Sequence, residues 1–290
     1  MRKELYYGDC TKLMYNIPDK SIDMVCADLP YAVTQNKLDV KIPFEDYLEF
    51  EYRPGKFKNV TLDEYLLYQY KMGNPRDIVL KFFNYHKKDG LWTHYNRIIK
   101  DNGVIALFGQ GKFYTEMVNS NLSNFRYDIV WDKHLVSDFL NAKRKPLRVH
   151  EQIGIFYKKQ PTYNPQMVKG KPLHSKGKSY IDKDEINNNY GKYGKGDDSR
   201  AGETLKYPKT IISYQKPHPS KALHRTEKSV QCIEWLIKTY TNEGEIVLDN
   251  VAGSGTTGVA CENTNRQYIL MDNDYKNIEI IENRLNIEHL

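Results

Sequence analysis

The sequence predicts an α/β protein built on a doubly wound, mostly parallel β-sheet. Strand-like hydrophobic segments alternate with amphipathic helix-like segments along much of the 290 residues, and this alternation is typical of such sheets. A glycine-rich turn at 253–258 lies between a predicted strand and a predicted helix, as in nucleotide-binding βα units. The hydrophobic content of 40%, with 23 Tyr and 3 Trp, favours a folded chain over a disordered one.

The first half of the chain opens this pattern with a buried strand, "SIDMVCAD" at 21–28, which ends before a proline. The segment "LWTHYNRIIKDNG" predicts an amphipathic helix over 91–103 that stops at Asn-Gly. The remaining elements of this half are a strand at 104–109, a helix at 112–120, and strands at 127–131 and 152–158.

The C-terminal part continues the alternation. A turn at Gly244 is followed by a strand at 245–249, the glycine-rich turn and a helix from about Thr256. A last strand at 268–272 precedes the final helix. Two helices here carry apolar faces, formed by Val230, Ile233, Leu236, Ile237 and Tyr240 in one and by Ile278, Ile281 and Leu285 in the other.

Two segments interrupt the alternation. Residues 44–90 are rich in Tyr and charge, with a predicted helix near "LDEYLLYQYK", and residues 159–222 are predicted to be irregular or glycine-hinged. We therefore predict four parts, which are residues 1–43 together with 91–158, an insertion at 44–90, a basic region at 134–222 that overlaps the first part, and residues 223–290.

The positive charge of the chain is concentrated in one segment. The formal net charge is +6, yet residues 143–221 hold 18 Lys and Arg against 7 Asp and Glu. The rest of the chain holds 25 basic and 30 acidic residues and is therefore net acidic. A solvated basic face would explain such a segment, but the segregation favours a polyanionic partner.

The sequence lacks the patterns typical of metal-binding, membrane-spanning and secreted proteins. The cysteines at 10, 26, 232 and 261 form no C-x-x-C pair and the eight histidines form no cluster, so we expect no metal site. We expect Cys26, Cys232 and Cys261 to be reduced, buried thiols. The sequence contains no apolar run of about 18 residues, so we expect no membrane-spanning helix. The N-terminus lacks the apolar region of a secretory signal, which predicts a cytoplasmic protein.

The glycine-rich turn predicts a nucleoside-binding site. Gly253, Gly255 and Gly258 let the backbone turn sharply and approach a ligand, and Asp272 follows at the distance expected for a ribose contact. Only 32 residues follow Gly258, too few for the second half of a dinucleotide fold, and Thr256-Thr257 replace the Lys-Ser/Thr of a P-loop. S-adenosylmethionine, a nucleoside without a pyrophosphate, fits this pattern if the sheet is circularly permuted with its cofactor half last.

The tetrapeptide Asp28-Leu29-Pro30-Tyr31, directly after the first buried strand, resembles the [D/N/S]-P-P-[Y/F/W] signature of amino-group DNA methyltransferases. The order of motifs is similar to that of the permuted class of this family, with a Rossmann-like fold and an inserted target-recognition region. The resemblance implies that the Asp28 carboxylate and the residue 29 carbonyl accept hydrogen bonds from the target amine. It also implies that Pro30 fixes the turn and Tyr31 stacks on a flipped base. Leu29 replaces the usual Pro, but the carbonyl is retained.

Two further segments carry the resemblance. "YGDC" at 7–10 is similar to the family's Gly-Asp segment, which implies that Asp9 and Cys10 lie near the cofactor adenine. "HRTEKSV" at 224–230 stands where the family has H-P-T-Q-K-P, and "HPSK" at 218–221 is a rival alignment. The cofactor-binding residues implied by the resemblance and the glycine turn are Asp9, Cys10, Thr226, Glu227, Lys228, Asp249, Asn250, Ala252, Gly253, Ser254, Gly255, Thr256, Thr257 and Asp272.

The family resemblance implies a site-specific enzyme that transfers a methyl group from S-adenosylmethionine to the N6 amine of adenine in duplex DNA. Asp at position 28 favours adenine N6 over cytosine N4, because cytosine enzymes usually carry Ser there. Residues 1–43 with 91–158 would then form the catalytic half and 223–290 the cofactor half. The densest basic cluster would neutralise DNA phosphates and consists of Lys143, Arg144, Lys145 and Arg148.

Other readings stay open at this point. They are an N4-cytosine methyltransferase, a methyltransferase of RNA or protein amines, and a catalytically inactive nucleic-acid-binding module of the same fold. A nicotinamide-dependent dehydrogenase would rest on the glycine motif alone and disagrees with the order of the chain. The insertion at 44–90 is either a packed surface subdomain or a site of DNA contact or dimerisation. A homodimer and a cognate restriction endonuclease are partners that the resemblance leaves open.

Overall fold

A computed structural model gives the structure of the chain. It describes residues 2–31, 39–51, 57–61, 73, 85–175, 184–187, 191–195, 199–218, 220 and 227–290. The chain divides into two compact units, of which the first comprises Met1–Asn164 and Thr210–Leu290 and the second Pro165–Lys209.

The described elements follow the chain in this order. The strands are β1 (Lys3–Tyr7), β2 (Ile22–Ala27), β3 (Tyr47–Glu51), β4 (Phe57–Thr61), β5 (Tyr85–Lys88), β6 (Ile99–Gly109), β7 (Phe125–Ser137), β8 (Arg148–Phe156), β9 (Val168–Lys169), β10 (Asp184–Asn187), β11 (Gly191–Lys195), β12 (Leu205–Lys206), β13 (Ile211–Ser213), β14 (Ile246–Asp249) and β15 (Gln267–Asp272). The α-helices are α1 (Cys10–Leu13), α2 (Leu91–Ile98), α3 (Gly111–Asn119), α4 (Val230–Tyr240), α5 (Thr256–Asn263) and α6 (Tyr275–Leu285), and 3₁₀ turns occur at Met14–Asn16 and Phe139–Asn141.

The first unit is organised around an eight-stranded sheet in the order β1-β15-β14-β2-β6-β8-β7-β13. Neighbouring strands from β1 to β6 are parallel, as are β7 and β13, and only β8 runs antiparallel to its two neighbours. The carboxyl ends of β1, β15, β14, β2 and β6 therefore lie along one edge of the sheet. Ligand sites of open α/β sheets lie at this edge.

Both faces of the sheet are covered by helices. Met24 and Cys26 of β2 pack in one hydrophobic cluster with residues of α4, α5 and α6. Val25 and Ala27, which alternate with them, pack in a second cluster with residues of α2 and α3. This two-sided burial explains why all six residues of β2 are buried. The predicted α/β, doubly wound and mostly parallel sheet is confirmed.

The predicted helix over 91–103 is wrong in its second half. Helix α2 ends at Ile98, and β6 begins at Ile99, where the backbone is extended with φ −73° and ψ 138°. Ile99 pairs with Ile22 of β2 and is buried, so sheet pairing ends the helical periodicity four residues before the Asn-Gly signal. Gly103 lies inside the strand, where a Cβ atom would come within 2.9 Å of the Asp23 carbonyl oxygen.

The two interrupting segments contain strands that the sequence patterns did not reveal. In 44–90, the described residues include a three-stranded antiparallel sheet in the order β4-β3-β5, and the predicted helix near "LDEYLLYQYK" lies outside the described residues. In the segment predicted to be irregular, β13 joins the main sheet beside β7. The second unit contains the antiparallel pairs β9 with β12 and β10 with β11.

The prediction for Cys26, Cys232 and Cys261 is confirmed, because all three are buried free thiols. Cys10 is also buried and free. Within the described part of the chain, no three His, Cys, Asp or Glu side chains are grouped as a metal site. No described helix has the length and hydropathy needed to span a bilayer.

Candidate active site

Acidic residues converge at the edge where the parallel strands end. Asp249 and Asp272 are the last residues of β14 and β15, and Asp28 follows β2 directly. Tyr7, the last residue of β1, pairs with Asp272, and the Gly8 amide donates to the Asp272 carbonyl oxygen at 2.9 Å. The sheet therefore brings together the tetrapeptide, the glycine-rich turn and the "YGDC" segment, which are far apart in sequence.

The glycine-rich turn connects β14 to α5 through two left-handed residues. Gly253 and Gly255 have φ angles of +55° and +75°, which residues with a Cβ atom rarely adopt. A Cβ on Gly253 would meet no atom within 4 Å, so there is open space beside this part of the backbone. Gly258 has a different role, because its Cβ would lie 2.5 Å from Leu285 Cδ1, and it allows α5 to pack closely on α6.

Asp272 holds this turn in place. Its Oδ2 accepts a hydrogen bond from the Gly253 amide at 2.8 Å. Its Oδ1 accepts from the Asp274 amide at 2.9 Å and from Asn277 Nδ2 at 3.1 Å. A carboxylate offers about four acceptor positions, so one remains for a ligand hydroxyl. Burial raises the pKa of Asp272, although these three donors oppose the shift.

Asp249 is buried below the turn and accepts hydrogen bonds from Thr257 Oγ1 at 2.5 Å and from the Val251 amide at 3.2 Å. Burial raises its pKa to about 7, against the opposing effect of these two donors. The neighbouring Asn250 accepts from the Tyr95 hydroxyl at 2.7 Å and donates to Cys10 Sγ at 3.4 Å. Asp249 and Asn250 thus anchor the start of the turn to the sheet and to the "YGDC" segment.

The raised pKa of Asp249 predicts a pH-dependent stability. Between about pH 4 and pH 7 the unfolded chain has lost this proton while the folded chain retains it, so the free energy of unfolding falls as the pH rises. The contribution is about 1.4 kcal/mol per pH unit and levels off above pH 7. In Asp249→Asn, whose amide oxygen still accepts from Thr257, we expect this loss to disappear.

Urea unfolding at pH 5, 6, 7 and 8 measures this difference. The stability of Asp249→Asn relative to the unsubstituted chain should increase with pH up to pH 7. The exposed Asp101 provides the matched control, since Asp101→Asn should show no such gain over this range. A pH-independent difference for Asp249→Asn would refute the assignment.

Asp9 and Cys10 lie at the carboxyl end of β1. Asp9 caps α1, accepting from the Thr11 amide at 3.0 Å and from the Thr11 hydroxyl at 2.7 Å. Burial raises the pKa of the Cys10 thiol to about 11, so this sulfur stays protonated at neutral pH. Cys10 contacts Asn250 at the start of the connection from β14 to α5.

The tetrapeptide presents a carboxylate with both oxygens engaged. Asp28 Oδ1 accepts a hydrogen bond from the Tyr31 hydroxyl at 2.7 Å, and Oδ2 forms an ion pair with Lys228 Nζ at 2.6 Å. The Tyr31 ring lies against Phe113 at a centroid distance of 4.7 Å. The Leu29 side chain is buried in the core, so this position contributes to the edge of the sheet only through its backbone.

Lys228 connects the tetrapeptide to a buried charge network. Its Nζ lies 2.8 Å from Glu151 Oε2, and Glu151 Oε1 lies 3.0 Å from Lys133 Nζ. Burial lowers the pKa of Lys228, but the charges of Asp28 and Glu151 outweigh burial and raise it overall. In the same way the two lysines keep the pKa of the buried Glu151 below its usual value. The network therefore pairs two lysines with two carboxylates, so that each buried charge lies beside an opposite one.

Lys133 and Glu151 were not among the predicted site residues. Lys133 follows Ile129 and Trp131 on the buried face of β7, and Glu151 precedes Ile153 and Ile155 on the buried face of β8. Side chains alternate between the two faces of a strand, and a charged residue on the buried face destabilises the fold unless it has a partner of opposite charge. A lysine and a glutamate at such positions could therefore have indicated a buried ion pair from the sequence alone.

Glu227 and Arg284 form a second ion pair beside the glycine-rich turn. Arg284 Nη1 lies 2.8 Å from Glu227 Oε1 and donates to the Ser254 carbonyl oxygen at 3.0 Å. The nearby Thr256 hydroxyl is at 3.5 Å from the same nitrogen. Arg284, on the last turn of α6, was not among the predicted site residues, because the sequence pattern is that of an exposed residue on an amphipathic helix. Thr226, predicted to bind the cofactor, lies outside the described residues.

The basic cluster lies on the loop between β7 and β8. Lys143, Arg144 and Lys145 are exposed, and Arg148 is half-buried at the start of β8. Lys145 forms an ion pair with Asp138 in the same loop. The loop begins and ends near Lys133 and Glu151, so the cluster lies in sequence between two members of the buried network.

The sequence profile of a DNA methylase family, that of the N6 and N4 methyltransferases, matches residues 22–283. The chain belongs to this family. The predicted resemblance is thereby confirmed for 262 of the 290 residues.

The relatives of this chain include type II methyltransferases. M.BamHI of Bacillus amyloliquefaciens is 27% identical over 97% of this chain, which spans 56% of the length of that relative. M2.MboI of Moraxella bovis is 24% identical over 97% of this chain and 86% of its own length. M.HpaI of Haemophilus parainfluenzae is 24% identical over 99% of this chain and 76% of its own length.

Solved structures share the fold of this chain. The complex of M1.HpyAVI with SAM superimposes with a TM-score of 0.53 and 18% identity, covering 97% of this chain and 99% of that one. PvuII DNA methyltransferase, described as cytosine-N4-specific, superimposes with a TM-score of 0.57 and 15% identity, covering 100% and 95% of the two chains. At these identities the likeness concerns the fold alone.

Proposed function

We propose that this DNA methylase transfers the methyl group of S-adenosylmethionine to the N6 amine of an adenine flipped out of duplex DNA. The observation that carries this assignment is the position of Asp28. Its carboxylate lies at the carboxyl end of β2, oriented by the Tyr31 hydroxyl and by Lys228, at the edge where the glycine-rich turn connects β14 to α5.

The residues around the turn fit the chemistry of S-adenosylmethionine. Open space lies beside the left-handed Gly253, and Asp272 retains an acceptor position for a ribose hydroxyl. Arg284, held beside Ser254 by Glu227, supplies the positive charge that a methionine carboxylate requires. When bound, S-adenosylmethionine supplies a methyl group on a sulfonium, whose carbon–sulfur bond breaks as the carbon–nitrogen bond forms.

Asp28 would act on the acceptor amine. The lone pair of an exocyclic amine is delocalised into the ring, which makes the nitrogen a poor nucleophile. The Asp28 carboxylate and the Leu29 carbonyl oxygen would accept the two amine hydrogens and stabilise the positive charge that develops on nitrogen. The excess proton can leave by way of Asp28, which Lys228 and the Tyr31 hydroxyl hold in place. Tyr31 would provide a ring face for the flipped base.

Adenine is the proposed base because residue 28 is a carboxylate rather than a hydroxyl. Duplex DNA is the proposed substrate because the exposed Lys143, Arg144 and Lys145 belong to the loop that joins β7 to β8. The family itself comprises both N6 and N4 enzymes, so the modified base is the finer part of the assignment. A homodimer and a partner restriction endonuclease stay predictions.

Incubation with S-adenosylmethionine labelled in its methyl group tests the reaction. We expect label in duplex DNA, with excess RNA failing to compete, and N6-methyladenine as the labelled nucleoside after digestion. Exclusive formation of N4-methylcytosine would contradict the choice of base. Label in RNA or protein, or none at all, would contradict the proposed reaction.

Cofactor binding provides a separate prediction for Asp272. In Asp272→Ala the turn loses the acceptor for the Gly253 amide and a ribose partner, so we expect the Kd for S-adenosylmethionine to rise by about 10- to 100-fold. Isothermal titration calorimetry measures this change. The exposed Asp101 again provides the control, and Asp101→Ala should bind normally. Unchanged binding by Asp272→Ala would remove this residue from the cofactor site.

A further inference from the structure

Two large apolar side chains are exposed at the tip of the loop between β7 and β8. The side chains of Phe139 and Leu140 are 70% and 85% exposed, and Val136 and Val149 on the flanking strands are 50% and 40% exposed. Scattered apolar residues are normal on a protein surface, but a contiguous apolar tip on an ordered turn is typical of a binding surface.

The turn that carries this tip is well braced. Asp138, in the left-handed region with φ 70°, accepts a hydrogen bond from Asn141 Nδ2 at 2.5 Å and forms an ion pair with Lys145. The Arg144 amide donates to the Asn141 carbonyl oxygen at 2.8 Å. These contacts present Phe139 and Leu140 to solvent in a fixed geometry, and preorganisation of this kind favours binding.

The charges of the loop indicate what the tip contacts. Lys143, Arg144 and Arg148 lie within nine residues of Phe139, so the surface combines cations with an apolar point. Duplex DNA matches this combination, because its phosphates lie outside and its stacked, apolar base faces inside.

The position of the loop relative to Asp28 favours DNA over an anionic membrane. Lys133 and Glu151 stand six and twelve residues from Phe139 on either side, and their ion pairs continue through Lys228 to Asp28. Six extended residues span about 20 Å at most. DNA that delivers a base to Asp28 therefore passes within reach of this tip.

We propose that Phe139 and Leu140 form an apolar wedge that enters the base stack and occupies the space left by the flipped base. This role rests on the proposed function. Extruding a base breaks its stacking and pairing, and apolar side chains inserted between base steps compensate for part of that loss. The wedge lowers the barrier to extrusion, whereas the neighbouring cations bind the phosphates of any sequence.

The test compares two substrates for the double variant Phe139→Ala/Leu140→Ala. One is the normal duplex, with the sequence identified by mapping modified bases, and the other carries an abasic site opposite the target, which weakens pairing. We expect kcat/KM to fall at least 10-fold on the normal duplex and less than 3-fold on the abasic duplex. Fluorescence of 2-aminopurine at the target position should show reduced extrusion. S-adenosylmethionine affinity and thermal unfolding should be unchanged, because both side chains are exposed.

The variant Lys143→Ala/Arg144→Ala in the same loop is the matched control, and its activity should fall equally on both duplexes. An equal fall for the apolar double variant, or no fall on either duplex, would overturn the wedge. Loss of binding to phosphatidylglycerol vesicles with DNA methylation intact would assign the tip to a membrane and overturn it too. If the unsubstituted protein methylates no DNA, the proposed function itself has failed, and that outcome is distinct from the others.

Discussion

Asp28→Ala lowers the methyl transfer rate about 100- to 1,000-fold and leaves S-adenosylmethionine binding unchanged. The substitution removes the carboxylate that accepts a target-amine hydrogen, and loss of one such preorganised group typically costs about 100- to 1,000-fold. The fold should persist, because Lys228 retains Glu151 as a partner. Single-turnover measurement with labelled cofactor gives the rate, and calorimetry gives the affinity.

Tyr31→Phe is the matched control for this prediction. It removes the hydroxyl that donates to Asp28 at 2.7 Å while keeping the ring against Phe113 and the carboxylate paired with Lys228. We expect a loss below about 10-fold, the scale of one neutral hydrogen bond. A rate for Asp28→Ala within about 10-fold of the unsubstituted chain would exclude Asp28 from the chemistry.

The second large effect concerns Glu151. In the folded chain Lys228 is shared between Asp28 and Glu151, at 2.6 Å and 2.8 Å. Without the charge of Glu151, Lys228 would pair with Asp28 alone and compete with the target amine for its oxygens. We therefore expect Glu151→Gln to lower kcat about 100-fold with little change in the Kd for S-adenosylmethionine.

Stability and activity can be separated by a compensating substitution. Glu151→Gln leaves Lys133 buried without the carboxylate at 3.0 Å, which should cost about 3–5 kcal/mol of unfolding free energy. Adding Lys133→Met removes the stranded charge and should restore most of that stability. If Glu151 positions the Asp28–Lys228 pair, kcat stays low in the double variant. Recovery of kcat together with stability would show that the role of Glu151 is structural.

The sequence predicted the parts of the fold that short-range patterns determine. The glycine-rich turn, the strands at both of its sides and the tetrapeptide after β2 are local features, and the structure places them at one edge of the sheet. The helix over 91–103 failed at Ile99, because pairing with Ile22 is a long-range contact that helical periodicity does not contain. The short strand β13 was missed for the same reason.

The sequence predicted the site residues that lie in recognisable motifs. It missed those whose role depends on contacts with residues distant in sequence. Lys228 was identified from the "HRTEKSV" segment. Its second partner Glu151, and Lys133 beyond it, lie in strands whose sequences are typical of the hydrophobic core. Arg284 was missed because its contact with Glu227 joins residues 57 positions apart. Charged residues at buried positions of predicted strands are the signal that would have identified Glu151 and Lys133. No local pattern in the sequence indicates the pairing of Arg284 with Glu227.

Nucleoside analysis of genomic DNA tests the central claim most directly. The protein and its Asp28→Ala variant would be expressed in a host without DNA methyltransferases of its own, and the digested DNA analysed by mass spectrometry. We predict N6-methyladenine in the DNA from cells with the unsubstituted protein and none in the DNA from cells with the variant. Genomic DNA without any methylated amine, or equal N6-methyladenine with the variant, would contradict the assignment of Asp28 as the group that acts on the target amine.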